Sequence, residues 1–351
     1  MDIELRTALT GIRQMTLGRR RFMSGLACTV GALATPASAV PSVAAPRARF
    51  LLVNDLAGDV DGLFAAAHAL ISPSLRTTGI VATSTGQKME SAAAALTLAK
   101  LLLTKVPSAK NIPIYLGSEG KIQVAGTPIR SDGAQAIVDE AKRDDPLPLY
   151  IGCGGGLTEI ASALMIDPSI AERFTLVWIG GESYPAGGRE YNFDIDPFAA
   201  RFVFNESTVP IWQVPRNAYA RCMVSLAEIE AEVAPQGLLG AWLYAQILAT
   251  IQRNARYGLN TGSTWTLGDN PLVLLTGLTA WFPRMVGQQR RFEGTDSSKY
   301  TEALAPEIVA DGKYVAKSSN RNIRVYDEID NRLILEDFYA RLKLKKIAEG
   351  S

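Results

Sequence analysis

Histidine is nearly absent from this chain. His68 is the only one in 351 residues, and it lies in the Ala/Leu-rich run FAAAHAL. A Ser-His-Asp relay, or a zinc site built from imidazoles, would have to rest on that single ring, which argues against both chemistries. The helix-like run around it makes packing the simpler role. Cysteine is scarce as well: Cys28, Cys153 and Cys222 show no metal-ligand spacing. No apolar run reaches the ~20 residues of a membrane span. Neither sign of charge dominates, because 36 basic and 35 acidic residues leave +1. No basic field therefore marks a nucleic-acid surface. There is no long helical repeat. What remains is 47% hydrophobic and 20% charged, enough for one large α/β domain or two smaller ones.

The first 39 residues read as a processing signal. Arg19-Arg20-Arg21-Phe22-Met23 resembles a twin-arginine export motif, with Gly18 where Ser or Thr is usual. A short apolar run, 25–34, follows, and Ala37-Ser38-Ala39 gives an A-x-A cleavage site. The expectation is an exported, periplasmic bacterial protein that passes through the twin-arginine machinery and keeps no stable membrane anchor. Removal of 1–39 takes five arginines, two acids and Cys28, and leaves a net charge of −2. Nothing in the sequence pairs the remaining Cys153 and Cys222.

Residues 40–47, VPSVAAPR, form a Pro/Ala linker. Beyond it, apolar strand-like runs at 50–53, 78–82, 112–116, 147–151, 174–179 and 209–214 alternate with helix-like ones. That order predicts an open α/β fold, a mostly parallel sheet covered by helices on both faces, with a Rossmann-like core. One domain is expected over 48–345. A β-hairpin appendage at about 310–335 and a last helix near 336–344 would complete it. Ligands of open α/β sheets bind at the carboxyl ends of the strands. The unusual segments fall there: NDLAGDVDG, STGQ, CGGGLTE and GGES.

Asp55, Asp59 and Asp61 crowd the first of these ends. Carboxylates so close repel one another, so either a proton or a cation must sit among them. An all-oxygen set suits a hard cation such as Ca²⁺. An acidic turn capping the next helix would look much the same. Asp59-Val60-Asp61-Gly62 also touches the D-x-D-G pattern of aspartate phosphatases, but the strand ends too early and Leu63 replaces the wanted Thr or Val. Gly154-Gly155-Gly156 permits close backbone approach to a ligand, yet it lacks the Lys-Ser/Thr of a P-loop.

Taken in order, NDLAGDVDGLFAAAHAL, GIVATSTGQ, CGGGLTEIASAL, VWIGGES, REYNFDIDPFAARFVFNES and LGDNPLVLL resemble the inosine–uridine-type nucleoside hydrolase family over about 50–275. The resemblance implies a calcium-dependent enzyme that hydrolyses the N-glycosidic bond of ribonucleosides. It gives Asp55 a metal contact and the role of base toward the attacking water. It gives Asp59 and Asp61 the metal and the ribose hydroxyls, Gly154 a main-chain carbonyl ligand, and Asp269 the completion of the metal shell. Gln87, Glu190 and Asn192 fall at ribose contacts. A homo-oligomer is implied too, family members often being dimers or tetramers.

The pattern is also broken. Gly62 stands at the last position of the family's D-D pair, and Asn54 precedes Asp55 where the family differs. Gly268 stands where many members carry a histidine that protonates the leaving base. Trp265 and Tyr257 are candidates to stack on a base. The losses keep open a second class, a non-catalytic exported protein that binds nucleosides or pentoses on the same fold.

Overall fold

The computed structural model describes residues 46–256, 258–259, 262–279, 281–286, 289–294, 296–317 and 321–350. The expected export signal and residues 40–45 of the linker lie outside these residues. β1 (Ala48–Asn54) is buried along its whole length. Its side chains alternate between two cores: Phe50 and Leu52 join one, Leu51 and Val53 the other. That alternation is why the strand reads as an unbroken apolar run: both faces are covered.

The chain then runs through α1 (Asp61–Ile71), β2 (Leu75–Ala82), α2 (Ala92–Thr104), β3 (Ile114–Leu116) and α3 (Asp132–Lys142). β4 (Leu149–Gly154), α4 (Thr158–Ile166), β5 (Thr175–Ile179), α5 (Tyr191–Ile195), α6 (Pro197–Asn205) and β6 (Ile211–Val214) follow. α7 (Arg216–Tyr219), β7 (Met223–Ser225), α8 (Leu226–Glu228), α9 (Gly237–Arg256), β8 (Thr264–Thr266) and α10 (Pro271–Val273) come next. The last elements are β9 (Trp281–Val286), β10 (Gln289–Gly294), β11 (Lys299–Leu304), β12 (Glu307–Ile308), β13 (Tyr314–Val315), β14 (Asn322–Glu328) and α11 (Asn331–Gly350).

Eight strands form the main sheet in the order β11-β14-β6-β5-β4-β1-β2-β3, all parallel except β11. The open, mostly parallel α/β architecture is therefore the one observed. From β1 the chain steps outward to β2 and β3, then returns to place β4 on the other side of β1. The strand order reverses there, and such a switch point leaves a crevice beyond the strand ends. Asn54 and Gly154 are register partners across it.

Local signals account for the helix starts. Ser91 and Ser131 accept from the third following N–H to cap α2 and α3. Asp196 caps α6, with Pro197 at its first position. Its fully buried carboxylate takes three donors: Ala199 N at 2.9 Å, Ile122 N at 2.9 Å and Thr158 Oγ1 at 2.8 Å. The DIDPF motif is thus a structural staple joining α6, α4 and the loop at Ile122.

The segment 310–335 is not an appendage. β14 pairs with β6 and with β11 as part of the main sheet. Ile323, Val325 and Tyr326 are buried, and that apolar content draws the strand inward. β13 pairs instead with β12. The last helix begins earlier than its apolar pattern suggests, at Asn331. Among the described residues no helix is long and apolar enough to cross a membrane.

Candidate functional site

Asn54, Asp55 and the turn to α1 lie beyond β1. Asn54, Asp55, Asp269 and Glu190 are buried, Asp61 is half-buried, and Asp59 is exposed. Asp61 sits in the first turn of α1, with the Gly62 N–H donating to its Oδ1 at 2.9 Å. A carboxylate suits the positive end of a helix. Asp269 lies in the turn before α10, and its Oδ2 accepts from Asn54 Nδ2 at 2.7 Å.

Three glycines let these groups converge. A Cβ at Gly154 would stand 2.4 Å from both Asp269 carboxylate oxygens. One at Gly155 would lie 3.4 Å from Asp55 Oδ2, and one at Gly268 would lie 3.2 Å from Asp61 Oδ2. The end of β4, the start of α1 and the turn at Asp269 therefore border one acidic region.

The electrostatics agree. Burial pushes the Asp55 carboxyl well above the usual range, and the charges of Asp269, Glu90 and Asp59 push it further. Asp61 is raised well above the usual range in the same way, by burial and then by Asp269, Asp59 and Asp55. Asp269 is pushed up to about 6, chiefly by burial, against the pull of the Asn54 hydrogen bond. The leading charges acting on all three are other carboxylates. Such a cluster must hold protons or a cation. Among the described residues no three carboxylate, thiol or imidazole groups close to ligand spacing around one point. The donor chemistry nonetheless fits a hard divalent cation: acidic oxygens, buried, without a compensating base among their leading partners.

Asp59 is the exposed member of the turn, and its charge acts on Asp55, Asp61 and Asp269. It accepts from Val60 N at 2.5 Å, with the Trp265 side chain and Arg253 beside it. Arg253 Nη2 also reaches Gly58 O at 3.3 Å, so α9 leans on the acidic turn. Trp265 is buried in the core rather than offering a stacking face. Tyr257 lies outside the described residues.

Glu190 caps α5. It accepts from Gly181 N at 2.8 Å and Phe193 N at 3.1 Å through Oε2, and from the Tyr219 hydroxyl at 2.5 Å through Oε1. Burial raises its pKa, against those hydrogen bonds. Burial and the Glu190 charge push the Tyr219 hydroxyl up in turn, which keeps it a donor. Asn192 is half-buried, and its Nδ2 donates to Ile179 O at the end of β5 at 2.8 Å. Gln87 is exposed and donates to the Tyr191 hydroxyl at 3.2 Å. That hydroxyl also approaches Glu90 at 3.3 Å.

Asp55, Asp61, Gly154 and Asp269 thus come together, with Glu190 beside them. Asn192 stands at the neighbouring strand end, and Asp59 and Gln87 lie on the rim. Asn54, Glu90, Tyr191, Tyr219 and Arg253 were not expected as site residues. Only Asn54 carried a signal, as a polar residue ending an apolar strand. Asn270 follows Asp269, fully buried, its side-chain amide without a partner among the described residues. Both thiols, Cys153 and Cys222, are buried and free.

The model of the family "inosine-uridine preferring nucleoside hydrolase" matches residues 52–336, and the chain belongs to that family. It is 39% identical over 77 residues to the inosine-uridine preferring nucleoside hydrolase of Leishmania major, and 39% over 82 residues to that of Crithidia fasciculata. Those alignments cover 21% and 22% of this chain and 24% and 25% of the two relatives, about a quarter of their length. Among solved structures it is similar to a purine-preferring ribonucleoside hydrolase from Gardnerella vaginalis. The TM-score is 0.62 at 18% identity, over 85% of this chain and 99% of that one. A plant nucleoside hydrolase gives 0.58 at 17% identity, over 85% and 99%. At these identities the likeness shows the fold.

Proposed function

We propose that the chain is a calcium-dependent ribonucleoside hydrolase that releases the base and free ribose. The observation that carries this is the acidic point at the switch between β1 and β4, in a chain of this family. Asp55, Asp61 and Asp269, with the main chain at Gly154, would hold the cation. Bound there, Ca²⁺ would lower the pKa of a water and orient it.

The chain's own residues do the rest. Asp55, buried beside the cation position, takes the proton of the attacking water. N-glycoside cleavage develops positive charge on the ribose ring, and the surrounding carboxylates stabilise it. On this reading Glu190 and Asn192 meet the ribose hydroxyls. Glu190 Oε2 is committed to two backbone N–H groups, so Oε1, already facing Tyr219, is the oxygen left to meet a sugar. No imidazole lies beside Asp269 to protonate the departing base. The sole histidine, His68, is buried on α1 and bound to Asp337 on α11.

Export of the mature chain, 40–351, to the periplasm and its assembly into a homo-oligomer belong to the same proposal, on the twin-arginine-like motif and the family's habit. The test is calcium titration of that mature chain by calorimetry, followed by ribonucleosides with free ribose assayed. Calcium binding with ribose release supports the reading. Calcium and nucleoside binding without release would make the chain a binding protein. No calcium binding would overturn the metal-dependent mechanism.

A further inference from the structure

Asn54 ends β1 and is fully buried. Its Nδ2 donates to Asp269 Oδ2, while its Oδ1 has no partner among the described residues. The carboxamide lies in a slot between two glycines. A Cβ at Gly62 would stand 2.1 Å from Asn54 Oδ1 and 3.0 Å from Cγ. A Cβ at Gly154 would stand 2.5 Å from Asn54 Nδ2. Neither glycine has a positive φ. What these positions require is space rather than conformational freedom.

Two departures from the family pattern thereby become one. Position 62, where a carboxylate was expected, has no room for any side chain because the Asn54 carboxamide fills it. That amide brings a donor, which no ionised carboxylate has. It gives that donor to Asp269, the one carboxylate of the cluster that lies far along the chain.

We infer that Asn54 is a positioning residue: seated between Gly62 and Gly154, it clamps the Asp269 carboxylate, and the affinity of the acidic cluster for calcium depends on that clamp. This rests on the cation reading proposed above. A hydrogen bond from behind fixes a ligating group's orientation, and loss of such outer partners typically costs about 10–100-fold in metal affinity.

The test is calcium calorimetry on the whole chain and three variants, with melting in chelator and in calcium alongside. Asn54→Ala should weaken calcium binding by roughly 10–100-fold. Gly62→Ala should weaken it comparably, because the new methyl evicts the carboxamide. The double variant should match Asn54→Ala alone, since no carboxamide is left to evict. A merely structural role would lower both melting temperatures equally and leave the affinity alone.

Wild-type affinity in Asn54→Ala would overturn the clamp. So would a Gly62→Ala loss that is as large in the Asn54→Ala background as in the wild type. If Asn54→Ala does not fold, Asn54→Ser, polar but too short to reach Asp269, takes its place with the same expectation. A wild-type chain that binds no calcium would overturn the cation reading and the clamp together, whereas a calcium-binding wild type with an unaffected Asn54 variant would overturn the clamp alone.

Discussion

His68 on α1 and Asp337 on α11 are bonded, Nε2 to Oδ2, at 2.9 Å. His68 is fully buried, its ring 5.1 Å from that of Phe338, and its Nδ1 has no partner among the described residues. The neutral tautomer with the proton on Nε2 satisfies this arrangement. A second proton, on Nδ1, would be stranded.

A pH dependence follows. Burial lowers the His68 pKa, although Asp337 pulls it the other way. The unfolded chain then binds the proton more readily than the folded one. The contribution is fully present above the unfolded value of about 6.5 and is lost as pH falls through it toward the folded value. Asp337, also lowered, loses its share at still lower pH. His68→Leu should flatten the loss of stability between pH 7.5 and 5.5 in urea denaturation with calcium present. An unchanged slope would show that His68 titrates normally.

The acidic cluster should behave oppositely in chelator. Asp269 is raised from 3.8 to about 6, so the folded state holds its proton more tightly and stability falls as pH rises through that window. A shift of this size corresponds to about 3 kcal/mol above pH 6. Asp269→Asn should therefore melt several degrees higher than the wild type in chelator at pH 7.5, while losing ribose release. Equal melting temperatures would mean that the cluster is not strained when metal-free.

Asp55→Asn should leave the fold intact and lower turnover by about 10²–10⁴-fold, the range of a lost general base. The far-ultraviolet circular dichroism spectrum and the ribose assay check the two halves separately. An unchanged rate would remove Asp55 from the mechanism.

Asp196→Ala would strand three donors in the core, two backbone amides and the Thr158 hydroxyl. A lost cap together with unsatisfied buried groups should cost on the order of 2–4 kcal/mol. Urea unfolding at pH 7.5 reads this directly. A loss below about 1 kcal/mol would mean that water replaces the carboxylate.

The main sheet was legible in the sequence because strands buried on both faces show as apolar runs, and β1, β4 and β5 are such strands. β14 was misread as an appendage because its partners, β6 and β11, are set by packing at a distance rather than by a turn. Asp55 and Asp61 were legible as part of an acidic turn at a strand end, but Asp269 only through the family pattern, since nothing local links residue 55 to 269. The partners of Glu190 and Asp59 escaped for the same reason: Tyr219, Trp265 and Arg253 arrive from other elements. Gln87 was placed near the ribose by the family resemblance, and its amide donates to the Tyr191 hydroxyl.

The bond between Asn54 and Asp269 joins residues 215 apart in the chain. Closing so long a loop is slow for a folding chain, and it gains nothing until both ends are in place. No fragment that stops short of Asp269 contains the whole acidic cluster. Whatever binds there binds only the finished molecule, so its binding energy opposes global unfolding rather than the fraying of any one helix. Where cleavage waits on global unfolding, occupancy of the acidic cluster should slow proteolysis of remote surface loops as much as of those around the site.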